Sequence, residues 1–269
     1  MSNGTPPPEL APDPARPAEG VTADAWQDWR RFTAARIAIG RAGSATPTKE
    51  TLAFSLAHAQ ARDAIHTPLD AAGLQAQLLA NGWPVLRVHS QAEDRHQYLL
   101  RPDLGRRLRP ADLELLQAQA GAPVDISITI GDGLSSTAVQ RHALPLLQAL
   151  REQLAGSYTL APLVLAEQSR VALADAVGDA FGARVAIILI GERPGLSAPD
   201  SLGIYLTFAP RVGRHDAERN CISNVRPEGL GYTAAAFKLA WLLRQSLLLG
   251  LSGVGLKDES DLALPASTE

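Results

Sequence analysis

The side chains best placed for chemistry in this sequence lie in loops that follow apolar runs. Val185 to Ile190 is an unbroken apolar stretch, and it leads into Gly191-Glu192-Arg193-Pro194-Gly195-Leu196. That loop sets one carboxylate, one guanidinium and exposed backbone groups among turn-forming residues. Val124 to Ile130 leads likewise into Gly131-Asp132-Gly133-Leu134-Ser135, and Leu163 to Ala166 into the stretch that carries Val171. Groups at the carboxyl ends of buried parallel strands are where open α/β sheets bind ligands, so the chemistry indicated is binding rather than acid–base catalysis. Cys221 lies between Asn220 and Ile222-Ser223-Asn224, which reads as a turn. A free cysteine most often behaves as a small buried apolar side chain, and at this place it could instead touch a ligand. Nothing in its flanks indicates the lowered pKa that a nucleophile needs.

The familiar catalytic and cofactor patterns are incomplete. Gly131-Asp132-Gly133 begins like a dinucleotide fingerprint, but Ser136 stands where the third glycine belongs, which argues against a nicotinamide nucleotide. Gly250-Leu251-Ser252-Gly253 comes close to a nucleophile elbow, but its second glycine falls one position early, which argues against a serine hydrolase. No lysine follows a glycine-rich turn as in a P-loop. His58, Arg62 and His66 are spaced four apart on one helix face, yet no third metal ligand accompanies the two histidines, so that face reads as a polar surface or interface. Gly131, Gly133, Gly191 and Gly195 either satisfy turn geometry or admit a large flat ligand close to the backbone. By motif alone the chain is not a self-sufficient enzyme.

The elements that must position these residues follow from periodicity. Residues 1–22 contain six prolines and almost no large apolar side chains, which predicts a disordered tail. Ala23 to Ile39 reads as helical, and Thr46-Pro47 opens a second helix that runs to about Pro68. Val85 to Val88 and Gln97 to Leu100 read as short strands, followed by a polar loop, Arg101 to Leu108, with three arginines. From Gly121 the pattern is regular. Strands at 124–130, 163–166, 185–190 and 202–208 alternate with a helical stretch that carries Val139, Leu146, Leu150 and Leu154 on one face, with an irregularity expected at Pro145, and with helices at 170–181 and about 233–249. Continuous apolar strands separated by helices predict an α/β fold with a mostly parallel sheet covered on both faces. The expected organisation is a tail over 1–22, a helical region with partner contacts over 23–120, and a Rossmann-like domain over 121–269.

Composition excludes several classes. The 269 residues are 46% hydrophobic and 20% charged, with a net charge of −3 and no long basic block, so neither disorder throughout nor a dedicated nucleic-acid binder is indicated. No apolar run approaches the roughly 18 residues of a membrane span. A single cysteine rules out an intrachain disulfide and fits the cytoplasm.

Taken in order, Thr33-Ala34-Ala35-Arg36-Ile37 with Gly40-Arg41-Ala42-Gly43, Arg101-Pro102-Asp103-Leu104-Gly105-Arg106-Arg107-Leu108, Asp132-Gly133-Leu134-Ser135, Gly191-Glu192-Arg193-Pro194-Gly195-Leu196 and Cys221-Ile222-Ser223-Asn224 resemble the small (light) subunit of ethanolamine ammonia-lyase, over roughly Arg30 to Glu259. The resemblance implies a Rossmann-like scaffold that completes an adenosylcobalamin site with a large subunit, which mainly binds the substrate ethanolamine and holds most of the radical chemistry. It implies radical deamination to acetaldehyde and ammonia, no activity in the isolated chain, and cofactor contacts at Val171, Glu192 and Cys221. The absence of an Asp-x-His-x-x-Gly pattern agrees with a family that binds the cofactor base-on. Family members can reside in bacterial microcompartments, although the Pro-rich tail lacks an amphipathic helix.

Overall fold

A computed structural model describes residues 20–154 and 156–263. The tail predicted over residues 1–22 lies outside this range up to residue 19. The chain divides into two compact units, one ending at Ala59 and one beginning at Gln60.

In the first unit the predicted helix over 23–39 is replaced by a 3-10 turn, Gln27–Phe32. Local side chains compete with helical bonding here: Asp24 accepts the Trp26 N–H (2.8 Å), and Thr33 Oγ1 accepts the Ala35 N–H (3.1 Å). Beyond it, Thr22 and Arg41 exchange backbone hydrogen bonds, which turns the segment back on itself. Helix α1 (Thr48–His66) follows Pro47 as expected and ends before Pro68.

The second unit is built on one six-stranded sheet. Its strands are β1 (Val85–His89), β2 (Ile126–Gly131), β3 (Leu163–Glu167), β4 (Val185–Gly191), β5 (Leu202–Phe208) and β6 (Arg219–Val225), in spatial order β1-β3-β2-β4-β5-β6. The β1–β3, β3–β2 and β2–β4 pairs are parallel, and β5 runs antiparallel to both β4 and β6. The sheet is therefore mostly parallel, in an α/β fold. The sheet domain was expected after residue 120, whereas the unit from Gln60 also includes β1 and the helices ahead of it.

Helices α2 (Ala71–Ala80), α6 (Ser136–Leu154) and α8 (Tyr232–Leu249) cover one face, against Ile128, Leu165, Ile187, Ile204 and Ile222. The sequence placed Val139, Leu146, Leu150 and Leu154 on one face of α6, and all four are buried in this core. The helix continues through Pro145. On the opposite face α5 (Pro110–Gln119) and α7 (Leu173–Ala180) pack over β1, β3, β2 and β4 through Leu116, Leu173, Val177, Val164 and Ile188. They stop short of β5 and β6, where Cys221 and Ser223 remain exposed.

Two further segments differ from expectation. Gln97–Leu100 is not a strand but part of helix α3 (Arg95–Leu100), because Asp94 caps the Gln97 N–H (2.8 Å) while the Gln97 side chain accepts the Glu93 N–H (2.7 Å). Pro102 ends it and opens the short helix α4 (Pro102–Gly105) inside the expected polar loop. The segment read as an Ile222-Ser223-Asn224 turn is instead the edge strand β6.

Candidate functional site

The carboxyl ends of β2, β3 and β4 meet at one edge of the sheet. Helix α6 leaves β2 toward one face and α7 leaves β3 toward the other, so these neighbouring strands form a topological switch point. Asp132, at the end of β2, is buried. It accepts the backbone N–H groups of Gln168 and Ser169 (both 2.8 Å) and thereby ties the two strand ends together. Burial pushes its carboxyl up from the ordinary range, against the opposing pull of those amides and of Arg95 at 3.8 Å. Asp132 is thus a fixed structural tether beneath the site.

Above it lies an open hollow of about 460 Å³, lined by Gly133, Arg170, Val171, Glu192, Tyr205 and Ser223, among others. A second hollow of about 570 Å³ adjoins it and shares Arg170, Val171 and Tyr205. Together they form one groove over the part of the sheet that α7 leaves uncovered. Val171 and Glu192 both line the first hollow. Cys221 pairs across strands with Tyr205, and Ser223 lies two residues further along β6. The Tyr98 ring supports this edge, with the Arg95 and Arg170 guanidinium groups 4.6 and 4.1 Å from its centroid.

The glycines have a plainer role than contact with a flat ligand. A Cβ on Gly191 would stand 2.6 Å from the Asp132 carbonyl oxygen and closer still to that of Ser135, and one on Gly133, whose φ is +58°, would strike the Gly191 carbonyl. A Cβ on Gly131 would strike the Ser169 hydroxyl. Gly133 and Gly191 let the ends of β2 and β4 pack backbone to backbone, and Gly131 makes room for the Ser169 side chain after β3. Gly195 alone of the four has open space around it.

The start of α6, where a dinucleotide would place its pyrophosphate, is closed. Ser135 and Ser136 are buried, and the Ser135 hydroxyl donates to the Pro199 carbonyl (2.9 Å) while accepting the Ala138 N–H (3.3 Å). Ser252 is likewise occupied, donating to the Glu218 carbonyl and accepting the Phe208 N–H (2.9 Å). Among the described residues no three His, Cys, Asp or Glu side chains converge to hold a metal ion.

Crowding by neighbouring protein atoms pushes the Cys221 thiol up, and the Glu192 charge acts the same way, against a lowering hydrogen bond from Tyr205. Since the thiolate is the nucleophile, Cys221 is expected to react with iodoacetamide more slowly at pH 7.5 than an unperturbed thiol, with its rate midpoint displaced upward. A midpoint at or below pH 8 in the full chain would contradict this, and the single cysteine makes the assay unambiguous.

A family model described as "Ethanolamine ammonia-lyase light chain" matches residues 23–257. The chain belongs to this family. It is 58% identical over 247 residues to "Ethanolamine ammonia-lyase small subunit" of Azotobacter vinelandii, covering 90% of this chain and 92% of that protein. A Ralstonia nicotianae protein of the same description is 57% identical over 248 residues (91% and 92%), and one from Pseudomonas fluorescens 53% over 248 residues (91% and 90%). The ethanolamine ammonia-lyase light-chain match includes every residue of the groove.

Reasoning from sequence singled out Val171, Glu192 and Cys221 but missed Tyr98, Tyr205, Arg170 and Ser223 as parts of the same edge. Tyr205 carried a readable signal, since strict alternation along Leu202–Phe208 places it opposite Ile204 and Leu206. Tyr98 carried none while its segment read as a strand.

Proposed function

We propose that this chain is the small subunit of an adenosylcobalamin-dependent ethanolamine ammonia-lyase and supplies one wall of a cofactor site that the large subunit completes. The observation that carries the proposal is the uncovered β5–β6 face. An otherwise well-packed sheet leaves Tyr205, Cys221 and Ser223 open beside the switch-point loops. In this reading the parallel part of the sheet is a Rossmann-like scaffold.

The residues present suit the group. The groove is open and broad rather than enclosed, with an apolar floor at Val171, Ile190 and Tyr205 and a polar margin at Glu192, Arg193 and Ser223. Arg170 Nε is buried there without a hydrogen-bond partner. No histidine lines either hollow, so cobalt would arrive held by ligands of its own, as in a cobalamin. Val171 would offer apolar contact, Glu192 a hydrogen-bond acceptor and Cys221 a soft, polarisable side chain. Adenosylcobalamin, when bound, supplies the radical chemistry that deaminates ethanolamine to acetaldehyde and ammonia; this chain binds, orients and excludes water.

Contacts with the large subunit are assigned to residues ahead of 121. Trp26, Trp29 and Phe32 are exposed there as a file of rings 6.0 Å apart, an apolar surface of the kind that marks protein interfaces. The test is co-expression with a large subunit encoded by the same genome. Acetaldehyde release should require both chains, ethanolamine and adenosylcobalamin, and each chain alone should be inactive. A stable two-chain complex that binds cobalamin but leaves ethanolamine unchanged would overturn the substrate assignment.

A further inference from the structure

The Glu192 side chain is held more tightly than a loop carboxylate needs to be. Its Oε1 accepts from the Ser223 hydroxyl (2.5 Å), and its Oε2 accepts from the Ser201 hydroxyl and from the Asn224 backbone N–H (3.1 Å). Its own backbone N–H donates to the Ser201 carbonyl (2.9 Å). These partners come from the start of β5 and the end of β6, so the carboxylate gathers both strands onto the loop after β4. Two backbone features shape the clamp. Asn224 has a φ of +58°, a left-handed conformation that asparagine tolerates. Gly203 lies directly beneath, where a Cβ would stand 3.0 Å from both Cγ and Oε1 of Glu192.

A carboxylate offers about four acceptor positions, two on each oxygen. Oε2 has both filled and Oε1 has one, so a single acceptor position remains, on Oε1, in a residue that lines the hollow. We infer that Ser201, Ser223 and the Cβ-free Gly203 are positioning residues for the cofactor, acting through Glu192 to aim that one open acceptor at a hydroxyl or amide N–H of the bound ligand. A phosphate or a carbonyl of the ligand would find no donor at this point. The clamp also gives a physical reason for two separated segments to occur together, since Gly191-Glu192 supplies the carboxylate and Ser223-Asn224 supplies two of its three donors. The inference rests on Glu192 being a cofactor contact, and its test separates the two claims.

The test uses the two-chain complex, with adenosylcobalamin affinity measured by equilibrium dialysis and turnover at saturating cofactor measured in parallel. Ser223 is exposed and its replacement leaves the core untouched. Ser223→Ala should weaken binding by about tenfold, the scale of one hydrogen bond to a charged group. Ser223→Thr, which keeps the hydroxyl, should restore the affinity. Ser201→Ala and Gly203→Ala should weaken it similarly, and Glu192→Gln more, because an amide N–H₂ would face one of the three donors. If the serine and glycine variants bind like wild type while Glu192→Gln does not, the positioning claim fails and the contact stands. If Glu192→Gln also binds like wild type, the contact assignment falls and takes the inference with it.

Discussion

Replacing Arg219 by methionine is expected to lower folding stability by about 3–5 kcal/mol, among the largest single effects in this chain. Arg219 opens β6 and Asp175 lies in α7, and their side chains are 2% and 1% exposed. The guanidinium makes a two-pronged bond to the carboxylate (2.6 and 2.7 Å) and also donates to Thr207 Oγ1 (2.9 Å) and the Arg214 carbonyl (3.0 Å). Methionine would fill much of the space but leave the buried Asp175 carboxylate without its countercharge. The damage should come from the stranded carboxylate rather than from lost volume, which a second variant checks. Arg219→Met combined with Asp175→Leu removes both charges and should recover most of the loss. Urea unfolding of the full chain would measure both. A single variant within about 1 kcal/mol of wild type would show that solvent reaches the pair.

The same pair links stability to the site. Cys221 and Ser223 follow Arg219 at alternate positions of β6, on the side of the strand that faces the groove, and β6 is held from only one neighbour, β5. An edge strand with two polar residues among its last five has limited apolar surface to hold it. Besides Ile222 and Val225 in the core and the Asn220 bonds to the Gly253 and Leu256 carbonyls, Arg219 at one end and the Glu192 clamp at the other fix its placement. Arg219→Met is therefore expected to weaken cobalamin binding by the complex as well, through disorder of the strand.

How much of this was legible in the sequence depends on how each element earns its place. Strands β2, β3 and β4 were readable because burial on both faces requires continuous apolar runs, and β5 from Leu202, Ile204 and Leu206 on its covered face. Helices α6 and α8 were readable from their apolar faces. Strand β6 was not, since only Ile222 and Val225 mark its buried side and Ser223-Asn224 mimics a turn. Helix α3 was misread because Tyr98-Leu99-Leu100 resembles a strand, whereas the deciding signals are the Asp94 and Gln97 caps. The convergence of the Asp132, Val171 and Glu192 loops followed from the rule for parallel strand ends. Tyr205 joined them only through the order β1-β3-β2-β4-β5-β6, and the Glu192 clamp only through the reach of β6 across β5. Neither strand order nor cross-strand register is written in local periodicity.

Gly191→Ala should be the second severe variant, and Gly195→Ala, four residues on in the same loop, should be nearly silent. At Gly191 the new methyl would meet the backbone carbonyls of Asp132 and Ser135, which cannot rotate away as a side chain would. Relief requires the ends of β2 and β4 to separate, breaking the Leu134 N–H bond to the Gly191 carbonyl (2.9 Å) and disturbing the loop that holds Asp132 in place. The expected cost is about 3 kcal/mol, the upper end for an overpacked site, with much of the protein lost to the insoluble fraction. At Gly195 the nearest atoms to a Cβ are those of Ala198 at 3.7 Å, an ordinary contact, and the expected change is within about 0.5 kcal/mol. Comparing unfolding midpoints of the two variants distinguishes the two explanations for the glycines in this loop. If Gly195→Ala leaves the fold intact but abolishes cobalamin binding by the complex, close approach of ligand to backbone is the reason for glycine there. If Gly191→Ala folds with wild-type stability, the strand ends are not packed backbone to backbone.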